Sequence, residues 1–488
     1  MEPKNKSGFN RRDFLKVGAL SGLFLGTSAV AGCSNDSSQK NKPFEGRAKY
    51  IIFLVSDGMS MGTLQMADLM RRRMEGRPSA WIRLYEEGKV TRSLMDMASA
   101  NSSVTGSGAA SSSWGSGVRV HNTRINYTEN DEMLTPVVPL FKAAGKKTGL
   151  VTSTRLTHAT PAGFAASVPQ RGMEDEIAQQ YYERQPDILL GGGSRHFDGS
   201  KREDGRDLFS SFADEGYKVL RTKSDMKNLG NGFQRMLGLF TESHLPYSLD
   251  HKNTPELAEN VPTLAEMTKE AIDRLYASGD GFILQVEGGR VDHAAHGMDA
   301  AGLVYDQIAF DDAVETAYSF YEQHPDDTLL VITTDHGNAN PAINATGSRY
   351  NDSDPNFDKL QTFRHTNDWI QSAFRDGTPT VNQVIERIEY ATGIAISNEQ
   401  AEMYRLAHRR ERKAAYNMRS SAWATLGEIM SNYTSVAFTG TAHTADYVEL
   451  AMAGPGSDSL GMFVRNTELF TLMTTAAGVP VEAEAEKA

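Results

Sequence analysis

Lys49-Tyr-Ile-Ile-Phe-Leu-Val55, followed at once by Ser56-Asp57-Gly58-Met59, is the stretch from which the fold is read. The apolar run is continuous, without polar alternation, and rich in branched residues. That pattern fits a strand buried on both faces, as in a parallel sheet. A polar turn closes it. The same grammar recurs along the chain. Lys147-Thr-Gly-Leu-Val-Thr152 leads to Leu156-Thr-His158-Ala-Thr160-Pro161, and Asp187-Ile-Leu-Leu190 runs into Gly191-Gly-Gly193. Gly281-Phe-Ile-Leu-Gln-Val286 runs into Glu287-Gly-Gly-Arg-Val-Asp292, and Thr328-Leu-Leu-Val-Ile-Thr333 into Thr334-Asp335-His336-Gly337. Helical stretches, such as Val261 to Ser278 and Ala300 to His324, lie between. Strand, polar turn and helix in alternation imply an α/β protein with a doubly wound, mainly parallel sheet flanked by helices. Such sheets bind ligands beyond the carboxyl ends of their strands, which is where these Asp, Glu, His and Thr residues fall.

A second stretch, Val104-Thr-Gly-Ser-Gly-Ala-Ala-Ser-Ser-Ser-Trp-Gly-Ser-Gly117, reads as a nucleophile turn. Its small residues can start a helix, and a serine in a first helical turn sits among unpaired N–H groups that favour an anion. Ser107 is placed to attack phosphorus and carry the phosphoryl group. The competing reading of a Ser/Gly run is a flexible loop.

The 488 residues suffice for one large domain with an insertion, or for two domains. Composition is that of a soluble globular protein, 39% hydrophobic and 23% charged. Net charge is −12, and residues 1–32 carry five Lys/Arg against two Asp/Glu, so the remainder carries −15. An acidic surface argues against general nucleic-acid binding, and any phosphate site must be positive locally. Arg11-Arg12-Asp-Phe-Leu-Lys16 followed by the apolar run Val17 to Ala31 reads as a twin-arginine export signal, too short for a comfortable membrane span. Val30-Ala31-Gly32-Cys33 resembles a lipobox, and Cys33 is the chain's only cysteine, so lipidation explains it better than a disulfide or catalysis. The expectation is a signal over 1–32, a polar tether over 33–45, the α/β domain over 46–480 and a frayed tail over 481–488. Residues 340–437 are polar, with a basic helical run from Ala401 to Met418, and read as an insertion near the site mouth.

Asp57, Glu287, Asp292, His296, Asp335, His336 and His443 are oxygen or imidazole donors with no thiolate among them. That mixture suits zinc in an open catalytic site, with magnesium where oxygens dominate. Asp292 and His296, four apart, share a helical face. Asp335 and His336, adjacent after a strand, are expected to point in different directions. Singly, each residue has a bland explanation as a turn former or a hydrogen-bond partner.

Here the chain resembles the alkaline phosphatase family. Six ordered motifs between about Arg47 and Leu450 carry the resemblance: Phe53-Leu-Val-Ser-Asp57-Gly-Met59, Val104-Thr-Gly-Ser107, His158-Ala-Thr160-Pro161-Ala162-Gly163, Glu287-Gly-Gly-Arg-Val-Asp292-His-Ala-Ala-His296, Thr333-Thr-Asp335-His336-Gly337 and Thr441-Ala-His443-Thr444. The resemblance implies two zinc ions and one magnesium ion. Asp292, His296 and His443 would hold the first zinc. Asp57, Asp335 and His336 would hold the second, and Asp57, Thr160 and Glu287 the magnesium. Arg171, thirteen residues after His158, would grip the phosphate's non-bridging oxygens, for which a planar guanidinium is suited. It also implies a homodimer.

Three departures stand out. Gly106 stands where the family usually has Asp, leaving Arg171 less firmly oriented. Asn338 replaces a frequent histidine and alters hydrogen bonding to a ligating carboxylate. His158 and His293 stand where some members have Asp and Lys, and are expected around the third metal as supporting residues rather than ligands.

The resulting expectation is an exported phosphomonoesterase of the periplasm or cell envelope, lipid-anchored through Cys33. It would release inorganic phosphate from soluble monoesters through phosphoryl-Ser107, with two cations roughly 4 Å apart stabilising the entering and leaving oxygens. The alternatives are a phosphodiesterase or sulfatase-like esterase on the same scaffold, or an inactive phosphate-binding lipoprotein.

Overall fold

The computed structural model describes residues 44–481. The expected leader over 1–32, Cys33 and the tail beyond 481 lie outside the described residues. Ten strands form one sheet, in the order Phe463–Arg465, Thr91–Asp96, Val448–Ala453, Thr328–Thr333, Tyr50–Val55, Phe282–Glu287, Lys147–Arg155, Ile188–Gly192, Met236–Leu239 and Lys218–Leu220. Only Val448–Ala453 runs against its neighbours. Every residue of Tyr50–Val55 is buried. Its side chains alternate between two cores, Ile52 and Leu54 facing one helical layer, Ile51, Phe53 and Val55 the other. The continuous apolar run is thus explained by burial on both faces.

Register does the next piece of work. Val55 pairs with Glu287 on one side and with Thr333 on the other. The three central strands therefore end level, and Asp57, Glu287 and Asp335 emerge together at the carboxyl edge.

The run from Ser107 to Ser116 is a helix, not a loop, and nearly all of it is buried. Its small residues are a packing face. A Cβ on Gly115 would come within 2.0 Å of the Gly163 carbonyl, and one on Gly163 within 2.2 Å of Ser111 Oγ. Only residues of this size let the helix lie against Ala159–Ala165 so closely. Ser112 and Ser113 hydroxyls donate to carbonyls of their own helix, so burying them leaves no hydroxyl unpaired.

Two short ladders shape the rim. Ala342–Ile343 pairs with Val436–Ala437, so the segment between is closed at its neck. It holds five α-helices, and its apolar residues, among them Phe357, Ile388 and Tyr404, join the core on one face of the sheet. The helix expected over 401–418 spans Asn398–His408 instead, and the chain turns at Arg410, which has φ +62°. Gly337–Asn338 pairs with His443–Thr444, bringing His443 beside the strand-end residues. Phe44, read from sequence as the end of the tether, is buried in the core. Among the described residues no helix is long and apolar enough to cross a membrane.

Candidate active site

Four carboxylates, those of Asp57, Glu287, Asp292 and Asp335, are buried at the carboxyl edge of the sheet. Among the described residues no Lys or Arg forms an ion pair with any of them, and their only ionic partners are histidines. Burial, compounded by the charges of Asp335, Asp292 and Glu287, pushes the Asp57 carboxyl well above its usual range. Burial also opposes ionisation of Asp292, but His296, His443 and His336 outweigh it and hold that carboxyl well down.

The ligand atoms converge in three groups, each within 4.8 Å: Asp57, Asp335 and His336; Asp292, His336 and His443; Asp57, Glu287 and His158. His296 joins the second, with Nε2 3.3 Å from Asp292 Oδ2 and 3.1 Å from His443 Nε2. Thr160 Oγ1 stands 3.5 Å from Asp57 Oδ2. Among the described residues Asp57 Oδ1, Asp335 Oδ2 and Glu287 Oε1 are buried without any hydrogen-bond partner. Orphaned acceptors aimed at common points are costly unless cations satisfy them. The donor set thus fits three metal ions, with Asp57 shared between two groups.

The surroundings orient these ligands. Nδ1–H of His296 donates to the Thr441 carbonyl at 2.7 Å and Nδ1–H of His443 to that of Thr105 at 2.8 Å, leaving both Nε2 lone pairs facing inward. Gly58, at φ +71°, donates its N–H to Asp335 Oδ1 at 2.9 Å, and a Cβ there would meet Asp292 Oδ1 at 2.6 Å. Thr152 and Thr154 hydroxyls donate to Glu287 Oε2. Asn338 Nδ2 donates to Asp292 Oδ1 at 2.7 Å, so the residue found in place of a histidine still binds this carboxylate.

Ser107 begins its helix behind Gly106, and its Oγ lies 3.4 Å from His336 Nε2. A buried hydroxyl at a helix N-terminus, beside a histidine shared by two of the three groups of metal-type ligands, is the arrangement of a metal-assisted phosphoryl-transfer site.

The sequence model described as alkaline phosphatase matches residues 48–479. The chain belongs to the alkaline phosphatase family. Alkaline phosphatase 4 of Bacillus subtilis is 27% identical over 93% of this chain and 94% of its own. The Schizosaccharomyces pombe alkaline phosphatase is 31% identical over 68% of this chain and 64% of its own. The crystal structure of Thermus thermophilus alkaline phosphatase superposes with a TM-score of 0.84 at 32% identity, covering 92% of this chain and 96% of that one. The chain's relatives support phosphomonoesterase activity, and the candidate ligand groups agree with a metal-dependent enzyme.

Within this alkaline phosphatase two expectations change. Asp335 and His336 do not diverge. His336 Nε2 is 3.1 Å from Asp335 Oδ2 and 3.5 Å from Asp57 Oδ1, and it faces two ligand groups at once. The chain doubles back through the Gly337–Asn338 ladder, which no periodicity reveals. His158, expected to stand behind the ligands, is itself in a ligand group, with Nδ1 3.7 Å from Glu287 Oε1. Its Nε2 accepts from Arg171 Nη2 at 3.0 Å. His293 belongs to no ligand group and packs 5.6 Å from His158 and 4.3 Å from His244, centroid to centroid. Arg171 lies next to the nucleophile turn, its Nη1 3.8 Å from where a Cβ on Gly106 would stand. His244 and Arg290 were not singled out from sequence. His244 sits in no strand-end motif, and Arg290 sits inside one, Glu287-Gly-Gly-Arg-Val-Asp292, whose carboxylates carried the reading.

Proposed function

We propose that this alkaline phosphatase works through a phosphorylated Ser107 at a site of two zinc ions and one magnesium ion. Asp292, His296 and His443 would hold one zinc, and Asp57, Asp335 and His336 the other. Asp57, Glu287 and Thr160 would hold magnesium, with His158 bridging Glu287 and Arg171 behind them. When bound, these ions supply positive charge to the entering and leaving oxygens and acidify hydroxyl groups. The observation that carries the reading is the convergence of buried carboxylate and imidazole atoms, with orphaned oxygens on Asp57, Asp335 and Glu287, and the Ser107 hydroxyl 3.4 Å from His336 within it.

The chain's own groups divide the remaining work. First-turn N–H groups of the Ser107 helix and the Arg171 guanidinium bind the non-bridging phosphate oxygens. Ser107 Oγ forms a bond to phosphorus as the phosphorus–alcohol bond breaks. Water then displaces Ser107, releasing inorganic phosphate and restoring the hydroxyl. No side-chain general base is required.

The same reading includes export by the twin-arginine route, a lipid on Cys33, a periplasmic or cell-envelope site, a homodimer, and residues 340–437 as an insertion at the site mouth. Sequence motifs and family resemblance support these. The test is a pH series of p-nitrophenyl phosphate hydrolysis by metal-replete protein lacking residues 1–33, beside bis(p-nitrophenyl) phosphate. Monoester turnover that rises into alkaline pH and is lost with chelator is expected. Faster diester turnover would overturn it in favour of a phosphodiesterase.

A further inference from the structure

Ser107 Oγ stands beside His336. In-line displacement puts the departing alcohol oxygen on the far side of phosphorus from Ser107, and on the function proposed above that side belongs to the ligands of the other zinc, Asp292, His296 and His443. Beyond His296 lies a cavity of about 540 Å³ whose walls include Tyr247, Arg290, Asp368, Arg375 and Trp423. Tyr247 and Arg290 come from the body that carries the sheet. Asp368, Arg375 and Trp423 come from the segment 340–437, so the cavity exists only where the two meet.

Its charge is unusual. Arg290 is only 9% exposed. Its guanidinium lies 3.6 Å above the Tyr247 ring, and its Nη1 donates to His293 Nδ1 at 2.8 Å. Among the described residues its Nε has no hydrogen-bond partner and no carboxylate forms an ion pair with it. Asp306 acts on it only from beyond ion-pair distance, so a bound anion would supply the direct contact that no carboxylate makes. Arg375 adds a second guanidinium, exposed and without an ion pair among the described residues. Asp368 is the one carboxylate on the wall, so the lining is positive overall. Trp423 adds a half-buried aromatic surface. Its Cε3 would lie 3.5 Å from a Cβ on Gly297, the residue after His296.

We propose that this cavity is a leaving-group subsite for phosphate monoesters whose alcohol part is a planar ring bearing a second anionic group. The ring would lie against Trp423 and the anion between Arg290 and Arg375. The inference rests on Ser107 as nucleophile, as argued above. It makes the enzyme selective among monoesters by what is attached to the departing oxygen.

The experiment compares kcat/KM of the metal-replete enzyme for 4-carboxyphenyl phosphate and 4-carbamoylphenyl phosphate. The two leaving groups match in shape and have similar electronics, but only one is charged. A preference for the carboxylate of roughly tenfold, the scale of one charge-assisted hydrogen bond, is expected. Arg375→Gln should bring the ratio toward one, and Arg375→Glu should invert it. Calorimetric binding of 4-carboxybenzyl and 4-carbamoylbenzyl phosphonates to the same three proteins gives a readout independent of turnover. A ratio near one in the wild type, unmoved by either substitution in both assays, overturns the subsite while monoester turnover leaves the proposed function standing. Turnover of neither ester overturns that function instead, and the phosphonate pair still decides whether the cavity selects the anion.

Discussion

The Nε2 atoms of His296 and His443 face each other at 3.1 Å, each ring having committed its Nδ1–H to a backbone carbonyl. Two lone pairs so close repel unless a cation lies between them and Asp292. Without metal that cation is a proton. Burial opposes charge on His296, but Asp292 and the Thr441 carbonyl carry its pKa up to about 9. Burial and the neighbouring His336 push His443 down to about 4. Metal loading therefore has to displace a proton, and apparent affinity should fall as pH drops below about 9. Chelation should lower Tm by on the order of 10 °C, given ~4 kcal/mol of linkage for each of three ions at a thousandfold excess of metal over Kd. Metal analysis should find three ions per chain, and fewer in His443→Ala. Full metal content in that variant would exclude His443 as a ligand.

Ser107 is buried, and among the described residues the only side-chain partner of its hydroxyl is His336 at 3.4 Å. Ser107→Ala removes one oxygen and no packing. Fold and metal content should persist while monoester turnover falls at least about 10³-fold, the scale of losing a covalent nucleophile. Acid quenching should trap a phosphoryl group on the wild type and none on the variant. An adduct in Ser107→Ala would move the nucleophile elsewhere.

The strand grammar was legible because two-face burial writes itself as an unbroken apolar run, as in Tyr50–Val55. Once those runs are aligned, Asp57, Glu287 and Asp335 fall at one edge, since register follows from strand ends. What sequence could not show depends on contacts between distant segments. The convergence of His336 on Asp335 needs a two-residue ladder to His443, too short to leave a pattern. The double contact of His158, with Glu287 on one nitrogen and Arg171 on the other, is a matter of side-chain direction. The cavity beside His296 joins Arg290 to Arg375 and Trp423 across separate parts of the chain. The Ser/Gly run from Ser107 was ambiguous for another reason. The same small residues serve a linker or a tightly packed helix, and only Gly163 opposite them decides.

Asp306 accepts hydrogen bonds from the Ser248 N–H at 3.1 Å and the Ser248 hydroxyl at 3.0 Å. Burial pushes its pKa from 3.8 up to about 7, against the pull of Arg290. The folded protein thus keeps a proton that the unfolded chain has lost between about pH 4 and 7. This group's contribution to stability falls as pH rises through that window, by up to ~1.4 kcal/mol per unit. Asn can make the same contacts, its amide oxygen accepting from the N–H and its NH₂ donating to Ser248 Oγ. Urea unfolding of metal-free protein should show a flatter pH profile for Asp306→Asn, with a gain on the order of 2 kcal/mol near pH 8. Parallel profiles for the two proteins would mean that Asp306 is ionised throughout.

Gly106 sits at the helix N-cap with φ −101° and ψ 158°, a conformation any residue adopts. A Cβ there meets nothing closer than Arg171 Nη1 and Asn122 Oδ1, both at 3.8 Å. Gly106→Asp should therefore fold without strain, and a carboxylate suits an N-cap. Its effect on phosphate is a contest. The new charge repels the dianion, but it also pairs with Arg171, whose Nη2 now donates to His158. An ion pair at this half-exposed site is worth ~0.5–1 kcal/mol, enough to hold the guanidinium in one orientation. If orientation wins, Ki for inorganic phosphate drops about three- to fivefold. The kcat should fall with it wherever product release limits turnover. A rise in Ki would mean that repulsion wins, and that His158 already orients Arg171 as well as a carboxylate could.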